Sequence, residues 1–268
     1  MQESNTSKRK SHLKPLLAVL LAVSVCLGGV IYFLWFKPEN KASYEYYAGG
    51  RVRMLRIDGV HNVRDIGGWQ TGDGKRIRYG LIIRGGEMDG IHNISITDKG
   101  KRQLRSEGIR TEIDLRSSAE VQNASYPIKY FAKYNRYEIA SYMGVKKNKT
   151  LYRDALSGIM TSVLEDKPVY VHCWGGADRT GTVIALIEGS LGVSKEDVIS
   201  DYELTSYSDV GERRYGKGEE GKKFADFIEY IENSFEGSTF EEKCQNLLFD
   251  LGISRQDLES FRAKMLES

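Results

Sequence analysis

A cysteine and an arginine six residues apart, Cys173 and Arg179, are the side chains of this 268-residue sequence best suited to covalent chemistry. They lie in the run His172-Cys173-Trp174-Gly175-Gly176-Ala177-Asp178-Arg179-Thr180-Gly181. A thiolate is a strong nucleophile, and a guanidinium presents a planar fork that matches two oxygens of a phosphate. The apolar residues Val169, Tyr170 and Val171 before the run read as a buried strand, and residues 182–187 after it as a buried helix. Between them, Gly175 and Gly176 allow a loop with unusual dihedrals. In a strand–loop–helix of this kind, backbone N–H groups turn onto an anion while the helix N-terminus adds positive potential. Cys173 at the rim of that nest is expected to have a lowered pKa. Phosphoryl transfer spreads charge over three equatorial oxygens, which such a cradle stabilises. The residue types and their spacing therefore imply cleavage of a phosphate ester by a thiolate.

Positioning these groups needs a sheet and covering helices. β-Rich segments at 52–57, 77–83, 110–115 and 168–172 are predicted strands. Helical periodicity marks 97–106, 150–165, 180–190, 194–205, 221–234, 239–249 and 254–266. Thr97, Ser194 and Ser254 are expected N-caps, the last two with Asp197 and Asp257 three residues on to favour the positive helix end. Strands alternating with helices predict an α/β fold with a mostly parallel central sheet flanked by helices.

The run His172-Cys173-x5-Arg179-Thr180 resembles the signature of cysteine-dependent protein-tyrosine and dual-specificity phosphatases, and more closely a bacterial branch reading H-C-x-x-G-K-D-R-T-G. The stretches from His61 to Gly68, from Gly80 to Arg84 and from Asp114 to Ser117 also resemble that branch, so the likeness covers about residues 55–205. The resemblance implies the protein-tyrosine-phosphatase fold, with Cys173 as nucleophile forming a cysteinyl-phosphate that water then hydrolyses. It implies that Arg179 clamps the phosphate, that Thr180 assists breakdown of the intermediate, and that His172 buttresses the loop. Trp174, Gly175, Gly176, Ala177, Thr180 and Gly181 become the substrate-binding residues. Trp174 is read either as a pocket wall for an aromatic leaving group or as a buried packing residue. A general acid is needed for the leaving oxygen, and no W-P-D loop is present. Two aspartates match family positions: Asp178 inside the loop, whose alternative is helix capping, and Asp114, whose alternative is pairing with Arg116. Water or a residue nearer the C-terminus is the remaining choice. One departure is Ala177, where the branch carries lysine. A missing second cation favours phosphotyrosine or aryl phosphates over inositol phosphates.

The expected activity is thus a phosphomonoesterase acting on phosphorylated proteins or peptides without metal or other cofactor. Phosphoinositide or dual-specificity action, a catalytically silent phosphate-binding module, and a thiol-redox enzyme are the alternatives. Redox chemistry of that last kind needs a partner for Cys173, and Cys244, in a helical pattern, is first read as a small buried apolar residue. Arg64, Asp65 and Arg84 are read as structural ion pairs, and Asp201-Tyr202 as part of an amphipathic helix face.

Three cysteines are too few for a disulfide scaffold, and a formal charge of +2 gives no basic face for nucleic acid. Residues 16–36 contain no charge, and at about 1.5 Å per residue they are long enough for a bilayer core of about 30 Å. Tyr32, Trp35 and Phe36 fit an interfacial aromatic belt. The expected organisation is a basic tail at 1–15, a membrane-spanning helix at 16–36, a linker at 37–50 and a phosphatase domain at 51–268. Lys8, Arg9, Lys10 and Lys14 before the span place the tail in the cytoplasm and the domain outside the cell membrane. A cleaved signal peptide, giving a secreted domain, is the alternative. The chain without residues 1–37 has 34 basic and 36 acidic groups, so affinity for an anion has to arise locally.

Overall fold

A computed structural model describes residues 43–46 and 53–268. The expected tail and spanning helix, and the expected linker apart from 43–46, lie outside the described residues; among those described, no helix is long and apolar enough to cross a membrane. The strands are β1 (Ser43–Tyr46), β2 (Arg53–Arg56), β3 (Arg64–Asp65), β4 (Arg76–Ile77), β5 (Ile82–Gly85), β6 (Thr111–Asp114), β7 (Lys133–Arg136), β8 (Val169–His172) and β9 (Leu266–Glu267). The helices are α1 (Asp98–Ser106), α2 (Gly144–Lys147), α3 (Lys149–Leu164), α4 (Asp178–Leu191), α5 (Lys195–Glu203), α6 (Gly218–Ser234), α7 (Phe240–Leu251) and α8 (Arg255–Met265).

The main sheet has the order β1-β2-β3-β5-β8-β6-β7. Its centre, β5-β8-β6-β7, is parallel, while β1, β2 and β3 extend it antiparallel from β5. The parallel register places Gly85, His172 and Asp114 side by side at the C-terminal ends of β5, β8 and β6. Loops leaving those ends face one another, which is where open α/β sheets bind ligands. β8 is buried on both faces, and Val169 and Val171 join one apolar cluster while Tyr170 joins another across the sheet. This two-sided burial explains its continuous apolar sequence.

The helices follow their local signals closely. Thr97, Ser194, Thr239 and Ser254 each accept a hydrogen bond from the backbone N–H three residues on, capping α1, α5, α7 and α8. Helix α4 is buried along nearly its whole length and packs against α5 and α7. Gly189 makes the α7 contact possible, since a Cβ there would fall 2.5 Å from the sulfur of Cys244. Cys244 is buried, and desolvation pushes its thiol up. It packs eleven residues along α4 from Asp178, about 16 Å at the helical rise, so it is not the redox partner of Cys173.

Candidate active site

The turn from β8 into α4 carries the Cys173 loop, and three of its carbonyls are held by residues from elsewhere in the chain, Asn62, Arg84 and Glu87. His172 Nδ1 lies 3.3 Å from the Cys173 carbonyl. The N–H of Glu87 donates to Trp174 O at 2.8 Å, Asn62 Nδ2 to Gly175 O at 2.9 Å, and Arg84 Nη2 to Gly176 O at 2.8 Å. Ala177 O takes the N–H of Gly181 at 2.8 Å. Five consecutive carbonyls are therefore engaged. In a trans peptide the N–H points opposite to the C=O, so the amides of Trp174, Gly175, Gly176, Ala177 and Asp178 face away from these partners. Gly176 is required there: its φ is +65°, and a Cβ would lie 2.1 Å from Gly85 O.

Cys173 is buried at the start of this loop, its sulfur near enough to the Arg179 guanidinium for a negative charge there to favour the cation. The same guanidinium forks onto Glu120, with Nη1–Oε2 at 2.6 Å and Nη2–Oε1 at 2.7 Å. Glu120 is fixed in turn by the N–H and hydroxyl of Ser117, at 2.9 and 2.8 Å. The Arg179 bond, with those to Ser117, holds the Glu120 carboxyl down at about 2 against its burial. Glu120 was legible as the fourth residue of a Ser-x-x-Glu pattern after the Asp114 motif, the reciprocal arrangement of a capping box, but nothing in that pattern names Arg179 as its partner. Thr180 Oγ1 is buried without a hydrogen-bond partner among the described residues.

His172 is buried with Nε2 3.1 Å from Glu112 Oε1. Burial alone lowers its pKa, but Asp114 and Glu112 outweigh that and raise it to about 9. It is an imidazolium at neutrality, donating to Glu112 on one side and to the Cys173 carbonyl on the other.

The two sequence candidates for a proton donor are in different surroundings. Asp114 is fully buried, accepting from Arg116 N at 2.9 Å, from the Arg116 guanidinium at 2.8–3.1 Å, and from Tyr134 at 2.9 Å. Burial raises its carboxyl, yet the charges of His172 and Arg116 prevail and hold it at about 2. The pair with Arg116, the alternative reading of Asp114, is present. Asp178 stands on the first turn of α4 with its side chain 28% exposed. Arg213 forks onto it, Nε–Oδ1 at 2.8 Å and Nη2–Oδ2 at 3.0 Å, and the Tyr142 hydroxyl also donates to Oδ1. Arg213 and Tyr142 were not legible: both stand in irregular segments whose neighbours are set by the fold.

Behind the loop lies a buried ionic cluster. Asp201 on α5 pairs with Arg64 at 3.0 Å and with Arg84, and Arg64 also holds Asn62 Oδ1 at 2.6 Å. Both arginines meet the Asp201 carboxylate, and Asp65 accepts from the N–H groups of Gly67 and Gly80 at 2.7 and 2.6 Å. Burial and the neighbouring Arg64 lower Arg84 to about 10, leaving it charged at neutrality. Glu188 on α4 faces this cluster fully buried, its oxygens without hydrogen-bond partners among the described residues, and burial pushes its carboxyl well up.

At the mouth, Trp174 is 52% exposed and so is no packing residue. Its ring centroid lies 4.8 Å from that of His92, whose Nδ1 is within 2.8–2.9 Å of both oxygens of the buried Glu87. Asp209 lies 3.1 Å from His61 Nδ1 and is 85% exposed, and the next residue, Val210, touches Gly175.

Comparison with known proteins places these residues in context. The sequence model described as the tyrosine phosphatase family matches residues 55–267. A protein of Cupriavidus necator with a provisional tyrosine-protein phosphatase name is 25% identical over 173 residues, which are 55% of this chain and 61% of that one. The chain thus spans less than two thirds of that relative's length. The triple specificity protein phosphatase PtpB of Mycobacterium tuberculosis is 38% identical over 48 residues, 18% of this chain and 17% of that protein. Among solved structures, a kinase associated phosphatase with its catalytic site cysteine replaced by serine matches at a TM-score of 0.43 and 15% identity, covering 58% of this chain and 86% of that one.

Proposed function

From the premise that the chain belongs to the tyrosine phosphatase family, we propose that it hydrolyses phosphomonoesters through a cysteinyl-phosphate on Cys173, with phosphotyrosine in proteins or peptides as substrate. The observation that carries this reading is the Cys173 loop, whose carbonyls at Trp174, Gly175 and Gly176 are held from outside by Glu87, Asn62 and Arg84, with the Arg179 guanidinium beside the buried sulfur. Amides on the opposite side of those peptides and the Arg179 fork together match the three equatorial oxygens of a phosphoryl group in transfer. In this proposal Cys173 attacks phosphorus, Arg179 moves from Glu120 onto two phosphate oxygens, and Asp178 gives the leaving oxygen its proton. Thr180 then assists breakdown of the intermediate, and His172 holds the loop through its Cys173 contact. An aromatic substrate is supported by exposed Trp174 beside His92, and by Ala177, which adds no second cation.

The test is turnover of para-nitrophenyl phosphate by the wild-type chain and by Cys173→Ser. Hydrolysis unaffected by a chelator, lost in Cys173→Ser while vanadate still binds, is the expected result; an active serine variant sinks the proposal. Vanadate binding without any wild-type turnover would instead identify a silent binding module. Phosphotyrosine peptides, phosphoserine peptides and inositol phospholipids compared side by side decide the substrate class. We further propose that residues 16–36 anchor the chain in the cell membrane with its phosphatase domain outside.

A further inference from the structure

We infer that Arg213 is a positioning residue that holds Asp178 as a proton acceptor for the second half of the reaction, with Tyr142 fixing the direction of its carboxylate. The inference rests on the reading above in which Asp178 carries the proton.

Three donors converge on the two Asp178 oxygens: Arg213 Nε and Nη2, and the Tyr142 hydroxyl. A carboxylate satisfies all three, because it only accepts. A protonated carboxyl would set its own O–H against one of them. The donors come from separate parts of the chain and each is itself fixed. Ser206 brackets the Arg213 backbone, accepting from its N–H at 2.9 Å and donating to its carbonyl at 2.8 Å. Tyr142 has a φ of +52°, a conformation a bulky side chain adopts only when its surroundings impose it. Here its N–H donates to Thr182 Oγ1 at 2.8 Å, Thr182 Oγ1 donates to Asp178 O at 2.8 Å, and its hydroxyl meets that of Tyr202 on α5 at 2.9 Å. Tyr142, Tyr202 and Arg213 are thus the titratable side chains gathered round Asp178.

The two half-reactions ask opposite things of Asp178. In the first, the Cys173 sulfur–phosphorus bond forms, the phosphorus–oxygen bond to the leaving group breaks, and the leaving oxygen takes a proton from the Asp178 carboxyl. In the second, a water oxygen bonds to phosphorus, the sulfur–phosphorus bond breaks to return the thiolate, and the water proton passes to the Asp178 carboxylate. The products are the alcohol and inorganic phosphate, and Asp178 ends protonated as it began. The Arg213 fork suits the second half. For the first, the fork opens and the carboxyl is protonated.

Rapid mixing of the full chain with para-nitrophenyl phosphate separates the two halves. In Arg213→Met, the first-turnover release of nitrophenolate is expected within about threefold of wild type, while steady-state turnover falls about tenfold or more and the burst approaches one nitrophenolate per Cys173. Arg213→Lys keeps the charge without the fork and should fall between. If Arg213→Met does not fold, the lysine variant reads the same ratio of burst to steady-state rate. Burst and steady-state rates falling in proportion, or neither changing, overturn the inference and leave the phosphatase reading standing. A wild-type chain that releases no nitrophenolate overturns both.

Discussion

Asp114 and Asp178 carry the same functional group, and their partners give them separate fates. Asparagine at 178 keeps the shape and removes the titrating proton, so turnover of substrates with poor leaving groups should fall by about 10²–10⁴-fold. Activated aryl phosphates, which need little protonation, should lose far less; steady-state kinetics over a leaving-group series checks this. Asparagine at 114 instead removes one of three carboxylates on the buried Arg116, with an expected loss of about 1.5–3 kcal/mol in urea unfolding. Both aspartates were legible as candidates from the sequence, Asp178 because it stands inside the loop and Asp114 because its Asp-Leu-Arg-Ser motif resembles the family's. Their separation was not. Arg116 also binds Glu87 and Asp89, and Asp178 is met by Arg213, contacts spanning 27 to 35 residues that only the register of strands and loops creates. His172 adds a pH signature. Its pKa is raised from 6.5 to about 9 in the fold, so the folded state binds a proton more tightly than the unfolded chain. The stabilisation this provides is complete below pH 6.5 and is lost as pH rises through about 9. Urea unfolding at pH 6, 8 and 10 should show that decline, and a His172→Gln chain should lack it.

At the scale of elements, the Cys173 loop owes its shape to β3, β5 and α5 more than to its own glycines. Asn62 and Arg84 tie two of its carbonyls, and Asp201 holds Arg84 and Arg64, which in turn holds Asn62. Asp201→Asn leaves two buried guanidiniums without their carboxylate. A loss of about 3–5 kcal/mol is expected, together with weaker vanadate binding by titration, since the loop ties loosen. Glu188 next to this cluster predicts the opposite. Its carboxyl is pushed up by burial, so glutamine, which has no charge to bury there, should change stability by no more than about 1 kcal/mol. A raised carboxyl means the folded state retains a proton the unfolded chain gives up above pH 4.5, so stability falls as pH climbs from there; Glu188→Gln should flatten that slope. The helices were readable because periodicity and caps such as Ser194 and Ser254 are encoded within a few residues. β7, with the sequence Lys-Tyr-Asn-Arg and no buried residue, carries no such signal and exists through its pairing with β6. The expected strand at 77–83 is in fact two, β4 and β5, because Tyr79 and Gly80 turn the chain between them.

For the whole molecule, charge is divided unevenly along the chain. Five basic residues and one acidic fall in residues 1–37, leaving 34 basic and 36 acidic beyond. A near-neutral body gathers its phosphate-facing cations locally, so the basic tail has no evident part in substrate attraction. Under the proposal that residues 16–36 span the membrane, the four cations before them would retain the N-terminus in the cytoplasm. A single span of this length, once inserted, is not released by salt or mild alkali, because those reagents act on charge and not on apolar burial. The full chain is therefore expected to sediment with membranes through high salt and carbonate and to enter solution only with detergent. In intact cells it should hydrolyse a membrane-impermeant aryl phosphate, and Cys173→Ser should remove that activity. Replacing Lys8, Arg9, Lys10 and Lys14 by asparagine removes the orienting charge, so part of the population should invert and hide its activity until the membrane is opened. Activity found wholly in the medium would mean that the segment is cut. Activity hidden in the unaltered chain would mean that Arg51, Arg53 and Arg56, on the other side of the span, outweigh the tail.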